Sequence, residues 1–139
     1  MCNYFLKHNA QFSPFPVIFL FDNETKSERP LKKFIKAAKL EDRADELSSK
    51  NHLLIEPNCK LNLVSVPLPL GKDECELEDL FTSKTLSVII NGRTFLRKDE
   101  DPKKFFNKDI FSKYVYRNYR SIDFSGFKPL LDVLNELVR

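Results

Sequence analysis

The chain lacks the residues and motifs on which several common kinds of site depend. It contains no tryptophan and only three glycines, and none of these glycines follows a strand in the pattern of a phosphate-binding loop. Nucleophile-elbow and zinc-protease motifs are also absent. Its three cysteines are widely spaced and form no CxxC pair, which suits a reducing compartment better than a disulfide framework. These absences argue against a P-loop enzyme, an α/β-hydrolase, a zinc protease and a disulfide-rich secreted domain.

Long apolar runs are missing too. The longest, Val17–Phe21, is far too short to cross a bilayer, and residues 1–15 do not have the pattern of a signal peptide. A length of 139 residues with 42% hydrophobic content suits a single domain over residues 1–139. The net charge of +3 is small and indicates no class of partner by itself. We expect a soluble, cytoplasmic protein that does not contact a membrane.

What is present predicts an α/β fold. The segment "VIFLF" (17–21) is β-branched and aromatic, which is typical of a central strand covered on both faces. The apolar spacing of "RPLKKFIKAAKL" predicts a helix, and two short strands are predicted at 52–56 and 61–66. "KDECELEDLF" has a helical pattern. Asn91-Gly92 predicts a β-hairpin near residues 86–96, and the C-terminal segments, from "DPKKFF" onward, are predicted to be helical.

Two carboxylates follow directly on the first predicted strand. Asp22 and Glu24 are two residues apart, so their side chains can point to the same side of the chain. In open α/β sheets ligands collect beyond the carboxyl ends of strands, and carboxylates are the ligands that Mg²⁺ prefers. The pair is therefore a candidate magnesium site. The alternative is a solvated strand exit, in which Asp22 caps the turn through its own backbone.

A second acidic cluster lies further along the chain, at Glu74, Glu76, Glu78 and Asp79. It could contribute a further metal ligand if its predicted helix approaches the same edge of the sheet. The alternative is a solvated helix whose first turn carries acidic residues because the helix dipole favours them there.

Basic residues are concentrated between Arg93 and Arg120. This segment has nine Lys or Arg against four Asp or Glu, interleaved with aromatic residues. Nucleic-acid surfaces combine cations and stacking rings in this way. Amphipathic helix packing with an exposed basic face is the alternative explanation of the same pattern. The candidate nucleic-acid-binding residues are Lys103, Lys104, Lys108, Lys113 and Arg117.

Six segments, taken in order, carry a resemblance to a known family. They are "FPVIFLFDNE", "LNLVSVPLPLG", "CELEDLF", "NGRTFL", "NKDIFSKYVYRN" and "IDFSGFKPLLDVLNELV". Together they span roughly residues 14–138 and resemble the TOPRIM-like C-terminal region of a class of retron reverse transcriptases. The resemblance implies a partial TOPRIM-like sheet with flanking helices. It also implies a bacterial protein that acts on nucleic acid in anti-phage defence, with a reverse transcriptase and retron DNA as partners.

The resemblance also implies a set of metal ligands. "DNE" stands where the family has its D-x-D pair, so Asp22 and Glu24 become the implied Mg²⁺ ligands, and phosphodiester cleavage the implied chemistry. "ELEDLF" is similar to the family's acidic segment, which adds Glu78 and Asp79 as further candidates.

The chain departs from the family pattern at two places. No E-G motif precedes the first predicted strand, and "TKSE" follows the acidic pair where the family has a glycine. We therefore expect the downstream portion of such a domain. Two further hypotheses remain open, namely a catalytically inactive fragment that acts as a structural or interaction module, and an unrelated small α/β binding protein.

Overall fold

The structure is a computed structural model that describes residues 15–24, 26, 28–57, 60–97 and 101–139. Both helices and strands are present in these residues, which confirms the general α/β class. They cluster into two compact units. The first comprises the described residues up to Leu77 together with Pro129–Arg139, and the second is Glu78–Lys128. The single domain over residues 1–139 and the TOPRIM-like character of the sheet stay predictions.

The first unit contains a three-stranded sheet. Its strands are β1 (Val17–Phe21), β2 (His52–Glu56) and β3 (Leu61–Ser65), in the spatial order β1-β3-β2. β1 runs parallel to β3, and β2 runs antiparallel to it. All residues of β3 are buried, whereas Leu20 of β1 is 40% exposed. The strands predicted at 52–56 and 61–66 are confirmed as β2 and β3. The prediction that β1 is the central strand is wrong, because in the described part of the chain β3 lies between β1 and β2.

Helices occupy much of the remaining sequence. Those in the described residues are α1 (Pro30–Ala37), α2 (Ala44–Lys50), α3 (Ser83–Leu86), α4 (Lys108–Asn118) and α5 (Lys128–Val138). α1 begins at Pro30, where the missing N–H leaves no hydrogen bond unmade. α4 and α5 confirm the predicted helical C-terminal part from Lys108 onward. The helix prediction is wrong for Phe105–Phe106 of "DPKKFF", because these residues form a strand. Within the residues that the structure describes, no helix is both long and apolar enough to cross a bilayer.

The core of the first unit lies between the sheet and the helices that follow β1. Leu31 and Ile35 of α1 and Leu47 of α2 pack with Leu53 and Leu63 of the sheet. Phenylalanines of β1 extend this core. The ring centroids of Phe19 and Phe21 lie 5.4 and 5.1 Å from the ring centroid of Phe34 in α1. The apolar spacing that predicted α1 thus corresponds to the face that the helix buries.

A small sheet and a cluster of phenylalanines form the second unit. β4 (Ile89–Ile90) and β5 (Arg93–Phe95) pair antiparallel, and β5 pairs parallel with β6 (Phe105–Phe106). Asn91 and Gly92 join β4 to β5 with φ of 51° and 73°, which confirms the predicted hairpin turn.

Aromatic packing explains why this unit is rich in phenylalanine. Phe81 lies 5.3 Å from Phe111 of α4 and 4.7 Å from Phe127, measured between ring centroids, and Phe95 stacks on Phe111 at 4.3 Å. A Cβ atom on Gly126 would overlap the carbonyl oxygen of Leu80, so this close approach of two backbones requires glycine. The core of the second unit is therefore mainly aromatic.

The predicted helix over "KDECELEDLF" is wrong for its first half. Cys75 lies in an extended bridge with Asn23, and only Leu77–Leu80 forms a short 3₁₀ helix. The backbone of Cys75 exchanges hydrogen bonds with another segment, so it cannot also make helical bonds. Glu74 and Glu78 therefore do not share a helix face.

Candidate cation site at the carboxyl end of strand β1

The candidate site is organised by a backbone bridge just beyond β1. The N–H of Asn23 donates to the carbonyl of Cys75, and the N–H of Cys75 donates to the carbonyl of Asn23, both at 2.8 Å. The side chain of Asn23 makes a further contact, because its Nδ2 donates a hydrogen bond to the carbonyl of Val66, just after β3, at 3.1 Å. The chain after β1, the chain after β3 and the segment around Cys75 are thus joined.

This bridge brings two acidic pairs together. Asp22 and Glu24 flank Asn23, and Glu74 and Glu76 flank Cys75. In an antiparallel pair, the residues on either side of the bridged ones project to the opposite face from them. The four carboxylates are therefore placed on one face, with Asp22 opposite Glu76 and Glu24 opposite Glu74.

Glu24 is a buried carboxylate of this group. It is 7% exposed, and its Oε1 lies 3.0 Å from Nε of Arg29. Burial raises the pKa of Glu24 above its ordinary value; the positive charge of Arg29 lowers this pKa, and the negative charges of Asp22, Glu76 and Glu74 raise it. On balance the surroundings disfavour the ionised form of Glu24, although a guanidinium is close.

Asp22 has a structural contact of its own. Its Oδ1 accepts a hydrogen bond from the N–H of Leu77 at 2.8 Å, where the 3₁₀ helix begins. A carboxylate at such a position satisfies a backbone donor that the helix leaves without an internal partner. The solvated strand exit, in which Asp22 caps its own turn, differs from this arrangement, because the carboxylate caps a segment distant in sequence.

Glu78 and Asp79 are engaged elsewhere, within the second unit. Glu78 Oε2 lies 3.0 Å from Nζ of Lys108, and Asp79 accepts two hydrogen bonds from Arg97, at 2.8 and 3.2 Å. The fork of an arginine on both oxygens of a carboxylate is a strong, directional pairing. The structure therefore gives these two candidate ligands basic partners in their own unit, and groups Glu74 and Glu76 with Asp22 and Glu24.

One signal in the sequence indicates that Glu74 and Glu76 could belong to the acidic cluster around Asn23 and Cys75. The segment "ECE" alternates acid, buried residue and acid, with the same two-residue period as "DNE". Two such segments, if paired through their central residues, present all their carboxylates to one face. The helical pattern of the longer segment concealed this alternation.

A cleft lies near the bridge; Asp73 is among the residues that line it, but the four carboxylates of the cluster are not. Its volume is about 570 Å³, and its walls include Asn23, Ser65 and residues of α1 and α2. Neither Asp22 nor Glu24 lines it, in keeping with their projection to the face opposite Asn23. The carboxylates and the cleft are separate features of the first unit.

The preformed geometry stops short of a metal centre. Over the described ranges of the chain, no three side chains of Asp, Glu, His or Cys converge closely enough to hold a metal ion. The donor type fits Mg²⁺, which takes carboxylate oxygens and commonly keeps several waters. The cluster thus has the chemistry of a cation site without a closed set of ligands.

No protein-family model and no solved structure matches the chain. The likeness to TOPRIM-like regions therefore depends on the six sequence segments, and the retron association stays a prediction.

The predicted nucleic-acid-binding residues all lie in the second unit. Lys103 and Lys104 are exposed just before β6, and Lys108 begins α4. Lys113 lies 2.7 Å from Asp109, one turn earlier in α4, and Arg117 is exposed in the last turn. Because Lys108 pairs with Glu78, the more exposed cations of α4 are those in its C-terminal half.

Proposed function

We propose that this chain binds a divalent cation, Mg²⁺, through Asp22 and Glu24, and binds nucleic acid through the basic residues of its second unit. The observation that supports the cation part is the grouping of Asp22, Glu24, Glu74 and Glu76 around the Asn23–Cys75 bridge. The nucleic-acid part is supported by the exposed cations of the second unit, to which the sequence assigns Lys103, Lys104, Lys108, Lys113 and Arg117.

The cation part follows from the electrostatics of Glu24. Burial and three neighbouring carboxylates disfavour its ionised form, although Arg29 is close. A divalent cation at this face would lower the free energy of every ionised carboxylate in the cluster, and waters would complete its coordination. Bound Mg²⁺ would supply charge stabilisation at a phosphate oxygen. The role of Asp22 and Glu24 would be to hold and orient it.

The biological setting comes from the family resemblance. In this proposal the chain belongs with a retron reverse transcriptase and its DNA product in bacterial anti-phage defence. Phosphodiester cleavage is the activity that this setting implies, with the acidic cluster as the reaction site.

The test of the activity is a cleavage assay. Purified protein is incubated with single-stranded and supercoiled DNA in the presence of Mg²⁺, Mn²⁺ or EDTA. We expect cleavage that EDTA abolishes and that Asp22→Asn and Glu24→Gln each reduce strongly, whereas Glu136→Gln, at an exposed carboxylate of α5, retains it. Metal-dependent cleavage that neither Asp22→Asn nor Glu24→Gln alters would rule out this site.

A second candidate function has its own supporting observation. All four of the predicted metal ligands contact protein groups: Asp22 the N–H of Leu77, Glu24 Arg29, Glu78 Lys108 and Asp79 Arg97. Carboxylates used in this way suit a catalytically inactive module that binds a reverse transcriptase or its DNA. Nucleic-acid binding without cleavage in Mg²⁺ or Mn²⁺ would favour this second function over the first.

A further inference from the structure

α4 and the 3₁₀ turn that continues it carry exposed cations around the exposed ring of Tyr116. Lys113, Tyr116, Arg117 and Arg120 follow one another at spacings of three, one and three residues, which places them along one face of the helix. All four side chains are exposed, and Tyr116 is 82% exposed. These four residues are called the Tyr116 stripe below.

The cations of the stripe differ in their present contacts. Lys113 pairs with Asp109 at 2.7 Å, an exposed contact of the kind that contributes little to stability. Arg120 lies against Tyr119, with its guanidinium carbon 5.6 Å from the ring centroid and its Nε donating to the hydroxyl at 3.1 Å. This contact orients Arg120 without neutralising its charge. The stripe therefore presents positive charge on both sides of an exposed ring.

Core packing does not account for Tyr116. A ring that remains 82% exposed gains little from burial, whereas the buried face of α4 is supplied by Phe111. An exposed ring between cations is the arrangement that proteins use for single-stranded nucleic acid: a base stacks on the ring while the flanking phosphates meet the cations. A duplex does not offer this, because its bases are already stacked inside the helix.

We propose that the Tyr116 stripe binds single-stranded nucleic acid, with a base stacked on Tyr116 and backbone phosphates on Arg117 and Arg120. This inference rests on the nucleic-acid part of the proposed function and gives it a substrate class. It adds Tyr116 and Arg120 to the residues predicted from the sequence.

The first test compares strands and removes the ring. Binding of the full chain to a labelled oligothymidylate of roughly 12 nucleotides, and to a duplex of equal length, is measured by fluorescence anisotropy. We expect tighter binding to the single strand. Tyr116→Ala should weaken that binding by about fivefold to a hundredfold, the range expected when one stacked base is no longer supported, and Tyr116→Phe should retain it because the ring is kept.

The second test removes the charge. Arg117→Glu/Arg120→Glu should weaken binding, and the slope of log affinity against log salt should become shallower by about 0.7 for each phosphate that the variant no longer neutralises. The matched control is Lys33→Glu/Lys36→Glu, which changes the net charge equally at exposed positions of α1. Circular dichroism melts check that every variant keeps its overall helix content and remains folded.

Each outcome distinguishes the stripe from the wider proposal. Tighter binding to the duplex would overturn the single-strand assignment, and unchanged binding by Tyr116→Ala would overturn the stacking of a base on this ring. If the wild-type chain binds single strands and both double variants weaken it equally, the stripe is wrong while nucleic-acid binding survives. If polyglutamate displaces the oligonucleotide from wild type and Tyr116→Ala alike, the surface fits an acidic protein instead. If the wild-type chain binds no nucleic acid, the Tyr116 stripe and the nucleic-acid part of the proposed function are both wrong. Cation binding is tested by a separate titration.

Discussion

Asn23 and Cys75 exchange two backbone hydrogen bonds of 2.8 Å, and this exchange sets the position of every carboxylate in the candidate site. The acidic residues that flank Asn23 come to lie beside those that flank Cys75. The pKa of Glu24 is raised mainly by burial; the positive charge of Arg29 lowers it, and the negative charges of Asp22, Glu76 and Glu74 raise it further. The acidic cluster is thus produced by a long-range pairing and not by either acidic segment alone.

The pH dependence of stability should carry the signature of Glu24. Its pKa is raised in the folded state, so the folded chain binds the proton more tightly than the unfolded chain does. The free energy of unfolding should therefore fall as the pH rises from about 4.5, the ordinary value, through the raised pKa of Glu24. Urea denaturation at a series of pH values measures this slope, and Glu24→Gln should remove it.

Two other carboxylates act in a different pH range. Hydrogen bonds from Arg43 lower the pKa of Glu46, and the backbone N–H of Ser125 lowers the pKa of Asp123. Their stabilising contributions are present above the ordinary pKa values and disappear as the pH falls through the lowered ones, so they do not mimic the effect of Glu24. An identical slope in wild type and Glu24→Gln would contradict the assignment.

The central position of β3 predicts a large effect of truncating its buried side chains. Leu63 is completely buried in the core of the first unit, and Leu63→Ala should lower the free energy of unfolding by about 2–5 kcal/mol. Leu70 is fully exposed and provides the control, since Leu70→Ala should change this free energy by no more than about 0.5 kcal/mol. Similar decreases in the two variants, measured by urea denaturation, would show that the arrangement of the sheet is wrong.

The pairing of Asp79 with Arg97 predicts a structural role for this carboxylate. Asp79→Asn should destabilise the second unit by about 1–2 kcal/mol, because a partly buried, two-pronged hydrogen bond to a charged group is weakened. Glu78→Gln should have a smaller effect, since its partner Lys108 is more exposed than Arg97. Hydrogen exchange of α4 and the hairpin reports on this unit directly.

The hairpin turn predicts a cost at Gly92. Its φ of 73° lies in the left-handed region, so Gly92→Ala should destabilise the second unit by about 1 kcal/mol although there is space for the methyl group. Asn91→Gly is the matched change, because Asn91 has a φ of 51° and glycine adopts this conformation without strain. Amide exchange in β4 and β5 should quicken in Gly92→Ala and change little in Asn91→Gly.

The parts of the fold that depend on local signals are predictable from the sequence. Apolar spacing locates α1, and Asn91-Gly92 locates the hairpin. The sequence wrongly predicts β1 as the central strand, because β1 is entirely apolar whereas β3 carries Asn62 and Ser65. Both polar residues are nevertheless buried, and the side chain of Asn62 donates a hydrogen bond to the carbonyl of Lys60 at 2.7 Å. Periodicity does not register polar residues that are buried with their partners.

The candidate site, like the fold, has one part that local sequence signals predict and another that depends on long-range pairing. Asp22 and Glu24 are identified by their place at a strand end, which is a local feature. The grouping of Glu74 and Glu76 with this pair depends on the long-range pairing at the bridge. The two-residue alternation of "ECE" does not indicate which segment it pairs with. Helical periodicity in "KDECELEDLF" points instead to a helix, and the tertiary pairing overrides that preference.

The most direct measurement of the central claim is a titration of the full chain with Mn²⁺, followed by the electron paramagnetic resonance signal of the free ion and displaced by Mg²⁺. We predict a bound ion whose affinity rises with pH as Glu24 ionises, and falls about tenfold or more in Asp22→Asn and in Glu24→Gln. Glu78→Gln and Asp79→Asn should bind as wild type does. No binding by wild type, or equally weakened binding in all four variants, would contradict a cation site at the Asn23–Cys75 bridge.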